Sequence, residues 1–168
     1  MARTGESWGR WPRPADQALH PLRRRDAALP VGERTLLAHG QGRSYGDSCL
    51  NDGGRLLLTR GLDHFLHFDA EAGVITCEAG VTLGEVLAVT LPRGWFLPVT
   101  PGTQFATVGG ALANDVHGKN HHRNGSFGDH VLAFELLRSD GGRQLLQPGD
   151  ALFAATVGGL GLTGVVSW

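Results

Sequence analysis

Short apolar runs separated by turn residues dominate the chain, and they predict strands at Thr35 to Ala38, Leu56 to Thr59, Phe65 to Phe68 and Val74 to Cys77. Asn51-Asp52-Gly53-Gly54 and Glu71-Ala72-Gly73 read as hairpin-type connections between them. Thr82 has the chemistry of a helix N-cap, and Glu85 stands three residues on, in capping-box position. Leu83, Val86, Leu87 and Leu91 then recur at helical spacing until Pro92 and Gly94 end the pattern. Trp95 to Val99 reads as a return to strand. Further on, Val131 to Leu137 reads as a strand, Asp140-Gly141-Gly142 as a turn, and Gln144 to Leu146 as the strand that pairs back. Pro148 to Thr156 predicts a short helix and Gly164 to Trp168 the start of another strand. Strands interleaved with short helices predict a mixed α/β (α+β) architecture rather than a bundle or a sandwich. Residues 1–34, rich in Arg and Pro with little periodicity, read as an extended lead-in.

A length of 168 residues is enough for a real core in one domain or two small lobes. A net charge of -1 gives no reason to expect nucleic acid or an anionic membrane as partner. The 26 glycines cluster instead of repeating periodically, which removes collagen-like and low-complexity readings. Cys49 and Cys77 are too few for a disulfide framework and lack metal spacing. Free thiols are expected, with a bridge between the two as the alternative. No apolar h-region marks the first residues as a secretory signal, and no run approaches the roughly 20 apolar residues of a membrane helix. Arg23-Arg24-Arg25 is read as a solvated or phosphate-facing edge, and the expected location is cytoplasmic. The apolar Gly164 to Trp168 run has no polar tail, so the domain is expected to be cut short there.

Two glycine-rich runs carry the candidate chemistry. In the first, Gly40-Gln41-Gly42-Arg43-Ser44-Tyr45-Gly46-Asp47-Ser48 follows a predicted strand. Successive backbone N–H groups in such a turn form a nest for phosphate, with Arg43, Ser44 and Tyr45 as further donors. The plain alternative is an ordinary β-turn. The second run extends from Pro101 to His122 and holds Gly102, Thr103, Thr107, Val108, Gly109, Gly110, Asn114, Asp115, Val116, His117 and Lys119. Thr107 to Ala111 predicts a short helix whose first amides face an anion. Asn114 and Asp115 offer polar edges to a heterocycle, and His117, Lys119, His121 and His122 would line the space beside it. Lys119 is the single lysine of the chain. A metal at His117 and His121 is the rival assignment, but that spacing needs a helix, which Gly118 and Asn120 disfavour. No metal is expected. Gly159-Leu160-Gly161-Leu162-Thr163-Gly164 spells the dinucleotide fingerprint without the long helix and acidic residue that must follow, so a tight turn near the site is expected. Ser44 with His39 lacks any group to orient the imidazole as a catalytic base.

Taken together, Gly-Gln-Gly-Arg-Ser-Tyr-Gly-Asp, Pro-Gly-Thr…Thr-Val-Gly-Gly-Ala, His-Gly-Lys-Asn-His-His and Ala-Thr-Val-Gly-Gly-Leu-Gly-Leu-Thr-Gly resemble the FAD-linked oxidoreductases of the vanillyl-alcohol oxidase and p-cresol methylhydroxylase (PCMH-type) fold. Among these the sequence is most similar to the enzymes that oxidise decaprenylphosphoryl-β-D-ribose and sugar lactones, D-arabinono-1,4-lactone included. The resemblance implies a two-lobed FAD-binding domain, with lobe 1 at residues 35–98 and an incomplete lobe 2 at 99–168. The last strand and the substrate-covering cap domain would be missing. It implies that Gly40 to Ser48 hold the pyrophosphate. Gly102, Thr107, Gly109 and Gly110 would cradle the cofactor, Asn114 to His117 would line it, and Val166 would reach the flavin or its adenosine end. Arg43 stands where many relatives carry the histidine that bonds FAD covalently, so noncovalent FAD is implied. His117 and Lys119 match residues facing the flavin ring and substrate, and are the catalytic candidates.

The function expected is the FAD-binding portion of an oxidoreductase acting on CH–OH groups. A hydride would pass from a sugar or polyol-type alcohol to flavin, and a separate electron acceptor would reoxidise it. A cap domain on a partner chain is possible in this scheme. The alternative is a non-catalytic fragment, or one half of a split enzyme, that binds FAD weakly or not at all.

Overall fold

A computed structural model describes residues 4–30 and 32–168, so the part of the predicted lead-in at 1–3 and 31 lies outside the described residues. The fold is mixed α/β, with three small sheets. In the first, β3 (Arg55–Leu58) lies between β1 (Ala18–Pro21) and β2 (Leu36–His39), and both pairings are parallel. Leu56 and Leu57 in β3 are fully buried, as a central parallel strand requires. The lead-in is therefore not merely extended: Ala18–Pro21 is an edge strand, and Leu22 after it enters the core with Leu57, Leu62, Leu137 and Val165. Asn51 to Gly54 is likewise no hairpin. Because β2 and β3 run parallel, the chain between them must cross over, and residues 40–54 make that crossing.

The second sheet is the hairpin β4 (Phe65–Asp69) and β5 (Val74–Cys77), antiparallel as predicted. Helix α1 (Leu83–Thr90) follows with both halves of its capping box formed: the Thr82 hydroxyl accepts from the Glu85 amide at 3.2 Å, and the Glu85 carboxylate accepts from the Thr82 amide at 2.7 Å. Trp95 to Val99 is irregular, not a strand. The Trp95 indole is held by the Ala70 carbonyl at 2.8 Å, and no neighbouring strand offers a ladder. Helix α2 (Val108–Ala113) and the single helical turn α3 (His121–Asn124) precede the third sheet.

In that sheet β6 (Phe134–Leu137) lies between β7 (Arg143–Leu146) and β8 (Val165–Val166), antiparallel to both. The predicted Val131 strand begins only at Phe134, because a 3-10 turn at Gly128–His130 occupies the approach. Helix α4 (Ala151–Thr156) starts at Ala151, not Pro148, since Asp150 adopts an extended N-cap conformation. Phe134, Leu136, Leu112, Leu146 and Phe153 form the core here, with Phe134 and Phe153 stacked 5.0 Å apart. Among the described residues no helix is long and apolar enough to cross a membrane, and Cys49 and Cys77 are free thiols.

Candidate cofactor site

A cavity of about 750 Å³ lies between the crossover loop after β2, the segment 101–116 that contains α2, and the turn 160–166 that leads through β8. That volume falls within the range of cofactor pockets. The structure brings to its wall most of the residues singled out by sequence. From the loop come Gly40, Gln41, Gly42, Arg43, Ser44, Tyr45 and Ser48. The facing segment supplies Gly102, Thr103, Thr107, Gly109, Gly110, Asn114 and Val116, and β8 supplies Val166. Leu160, Gly161 and Gly164 also line it, as expected of a tight turn near the site.

Six candidates stand outside the wall. Gly46 and Asp47 are exposed at the tip of the loop. Val108 packs beside Cys77, Val81 and Val86 instead of toward the cavity. Asp115 is turned away, at φ 41, and its carboxylate accepts from the Gly128 amide at 2.9 Å. His117 bridges to Ser126, its ring 5.1 Å from that of His121. Lys119 is exposed and makes no ion pair among the described residues. The His121 Nδ1 lies 3.1 Å from the Gly118 carbonyl.

The two glycine runs differ in where their backbone donors go. In α2 the first amides are all spent inside the protein. Val108 N–H donates to Val81 O and Gly109 N–H to Ala79 O, each at 2.8 Å, and Gly110 N–H donates to the Thr107 hydroxyl at 3.1 Å. The expectation that they face an anion is corrected accordingly: tertiary bonds to the 79–81 segment already satisfy them. In the crossover loop the reverse holds. Among the described residues the amides of Arg43, Tyr45 and Gly46 make no hydrogen bond to a backbone carbonyl, while the Ser44 amide faces the Cys49 thiol. A nest of uncommitted donors is what an anion needs.

Arg43 strengthens this contrast. Its guanidinium carbon lies 5.4 Å from the Trp8 ring centroid and 5.5 Å from that of Phe105, a clamp between the N-terminal segment and the facing wall. One terminal nitrogen donates to Gln41 O at 2.9 Å, whereas the buried Nε has no acceptor. An orphaned charged donor at a cavity wall carries a desolvation cost that an anionic oxygen would remove.

The reason for one glycine also changes. Gly42 sits at φ +60, and a Cβ there would stand 2.1 Å from the Glu6 carbonyl oxygen. The N-terminal segment itself comes this close to the loop. Trp8 N–H donates to Ser44 O at 3.0 Å, which straps residues 4–12 across the loop. Trp8 and Phe105 are wall residues that sequence alone did not single out. An isolated aromatic in an irregular segment has no spacing to mark it.

Residues 32–147 match the family described as FAD binding domain. The chain is 45% identical over 142 residues to the decaprenylphosphoryl-beta-D-ribose oxidase of Mycolicibacterium smegmatis, which covers 83% of this chain and 31% of that protein. It is 32% identical over 102 residues to the probable L-gulonolactone oxidase 6 of Arabidopsis thaliana, covering 60% of this chain and 17% of that one. It is also 29% identical over 119 residues to a probable mitochondrial D-2-hydroxyglutarate dehydrogenase of Oryza sativa subsp. indica, covering 70% and 20%. The chain thus spans less than a third of the length of each of these relatives.

Proposed function

The chain belongs to the FAD binding domain family, and on that premise we propose that it holds FAD noncovalently for the oxidation of a sugar or polyol-type alcohol. Bound FAD supplies the acceptor for the hydride of the carbinol carbon, and a separate electron acceptor takes the electrons onward. Residues 35–98 and 99–168 are read as the two lobes around the cofactor, and a substrate-covering segment or partner chain would complete the pocket. A reducing cytoplasm suits the free thiols of Cys49 and Cys77.

The observation that carries this function is the contrast in backbone donors, together with the orphaned Arg43 Nε. The pyrophosphate is assigned to the crossover loop because amides there are free and the Arg43 Nε is a buried donor without an acceptor. Asn114 presents an exposed amide beside Val116, and its Nδ2 is tied to Gly110 O at 2.9 Å, which holds its carbonyl oriented. Lys119 Nζ contributes positive charge next to the alcohol oxygen as the C–H bond breaks, and His117 contacts the substrate. Both stand beyond Val116, on a segment anchored where Asn120 Nδ2 donates to Pro98 O at 2.9 Å. Titrating the purified chain with FAD, followed by flavin fluorescence and visible absorbance, tests the proposal. Saturable quenching with a resolved absorbance band is expected. Unchanged free-flavin fluorescence at every ratio would overturn it.

A further inference from the structure

The crossover loop that lines the cavity is closed at its base by one side chain. His39, the last residue of β2, is 2% exposed, and its Nδ1 lies 2.9 Å from the carbonyl oxygen of Cys49. A carbonyl can only accept, so Nδ1 carries the proton and donates. Residues 39 and 49 are the two ends of the loop whose interior, Gly40 to Ser48, presents the free amides and Arg43. The His39 main chain is fixed as well, because the Thr59 hydroxyl donates to its carbonyl at 3.2 Å. Few other bonds brace this loop. Leu50 N–H donates to Asp47 O at 2.8 Å, the Ser48 hydroxyl donates to Tyr45 O at 3.2 Å, and Trp8 N–H reaches Ser44 O.

We propose that His39 is a positioning residue for the cofactor loop, its Nδ1–H donated to Cys49 O holding the loop's donors in the arrangement that takes the FAD pyrophosphate, an inference that rests on the FAD-binding proposal above. It touches no reacting atom. It acts by removing the freedom of the loop before the ligand arrives, so that binding loses less conformational entropy.

The surroundings make this clasp sensitive to protonation. His39 also lines a smaller cavity of about 260 Å³ at the carboxyl ends of β1, β2 and β3, in company with Arg23 and Arg60. Among the described residues no carboxylate lines that cavity. Arg60 is paired with Glu85 at 2.6 Å, and Arg43 is bonded to Gln41 O. The Cys49 thiol is pushed up by burial and stays neutral, and Glu6 of the overlying strap is paired with Arg10 at 3.8 Å. An imidazolium at His39 would thus be buried with no carboxylate beside it among the described residues. Burial holds its pKa below the ordinary 6.5, against the opposing pull of the Cys49 carbonyl. The folded value lies under the unfolded one, so the buried neutral ring contributes fully above pH 6.5 and its contribution is lost as pH falls through the folded value; the imidazolium keeps its Nδ1–H, and the clasp opens because the charged ring is drawn out to water.

Three proteins test this: the parent, His39→Ala and His39→Asn. The Asn Nδ2 lies as many bonds from Cα as His Nδ1, so it can donate to Cys49 O, but it does not titrate. Amide hydrogen exchange on the FAD-free proteins reads the loop directly, and FAD titration from pH 8 to 5 reads its consequence. Exchange of the Trp8 and Leu50 amides, which are bonded to the loop carbonyls of Ser44 and Asp47, should quicken in His39→Ala alone, with FAD affinity down about ten-fold, the worth of one hydrogen bond of this kind. The parent's affinity should fall as pH drops through the folded His39 value, which lies under 6.5, while that of His39→Asn stays level across the same window. Parent-like exchange and affinity in His39→Ala, or one shared pH profile for parent and His39→Asn, would overturn the assignment. If exchange responds as expected but none of the three proteins binds FAD, the clasp stands as a loop brace. The FAD-binding proposal, and the link from clasp to cofactor, then fail.

Discussion

A β-carbon on Gly40 would stand 2.5 Å from the hydroxyl oxygen of Thr107, so the first residue of the cofactor loop is packed against the N-cap of α2. The same hydroxyl accepts from Gly110 N–H, and Thr107 is 2% exposed, with no room to retreat. The two cavity walls are thereby held at a fixed separation by the absence of a single methyl group. Gly40→Ala should force Thr107 out of its capping position and destabilise the protein by about 2 kcal/mol, from lost capping and overpacking together. Urea denaturation measures the first effect. Flavin fluorescence should show FAD binding weakened in the same variant.

Arg43 bears on the proposed noncovalent attachment. Arginine cannot form the covalent flavin bond, so acid precipitation should release all yellow colour into the supernatant. Colour in the washed pellet would identify a covalent link elsewhere. Arg43→Met keeps an apolar stem between Trp8 and Phe105 but removes the unpartnered donor. FAD affinity should fall by roughly ten-fold to a hundred-fold, as expected for a charge-assisted hydrogen bond.

Lys119 separates chemistry from binding. Its ammonium is exposed and forms no ion pair among the described residues, so Lys119→Ala should change stability by less than about 1 kcal/mol. FAD affinity should stay within about three-fold of the parent, a difference under 1 kcal/mol. The rate of flavin reduction by an alcohol substrate, followed by stopped flow, should fall by roughly a hundred-fold if the charge stabilises the transition state. A parent-like rate would return Lys119 to the surface and leave His117 as the substrate contact.

His64 gives the hairpin its own pH dependence. Its Nδ1 lies 2.8 Å from the Glu78 carboxylate, with Asp63 at 3.8 Å. The hydrogen bond to Glu78 holds its pKa above the ordinary 6.5. A raised folded value means the pair stabilises fully below pH 6.5 and the contribution is lost as pH rises through the folded pKa. The imidazole resonances of His64, titrated by NMR, should show the raised midpoint in the parent and an ordinary one in Glu78→Gln.

Much of this was legible in the chain itself, wherever a signal and its partner lie within a few residues of each other. The Thr82–Glu85 capping box, the turn between β4 and β5, and the short helix expected from Thr107 to Ala111 all formed where their local chemistry placed them, the last with Thr107 as its cap. Asn51 to Gly54 shows the limit. Turn chemistry says that the chain bends, but not which strand it will lie beside, and the parallel pairing of β2 with β3 made it part of a crossover. β1 was invisible for a related reason: four residues of mixed polarity become a strand only because β3 is there to pair with them.

By itself, then, the sequence determined the glycine loops, the capping box and the strand-forming runs, because these depend on steric freedom and on donors a few positions apart, while the kind of cofactor came from the resemblance of its motifs to a family. Only the tertiary structure decided which amides remain free for a ligand. Segment 79–81 folds under α2 and consumes its donors, the N-terminal strap closes over Gly42 and brings Trp8 to Arg43, and His39 reaches across to Cys49. A backbone N–H is committed by whichever carbonyl the fold brings within 3 Å of it, and most of those carbonyls belong to residues far away in the chain.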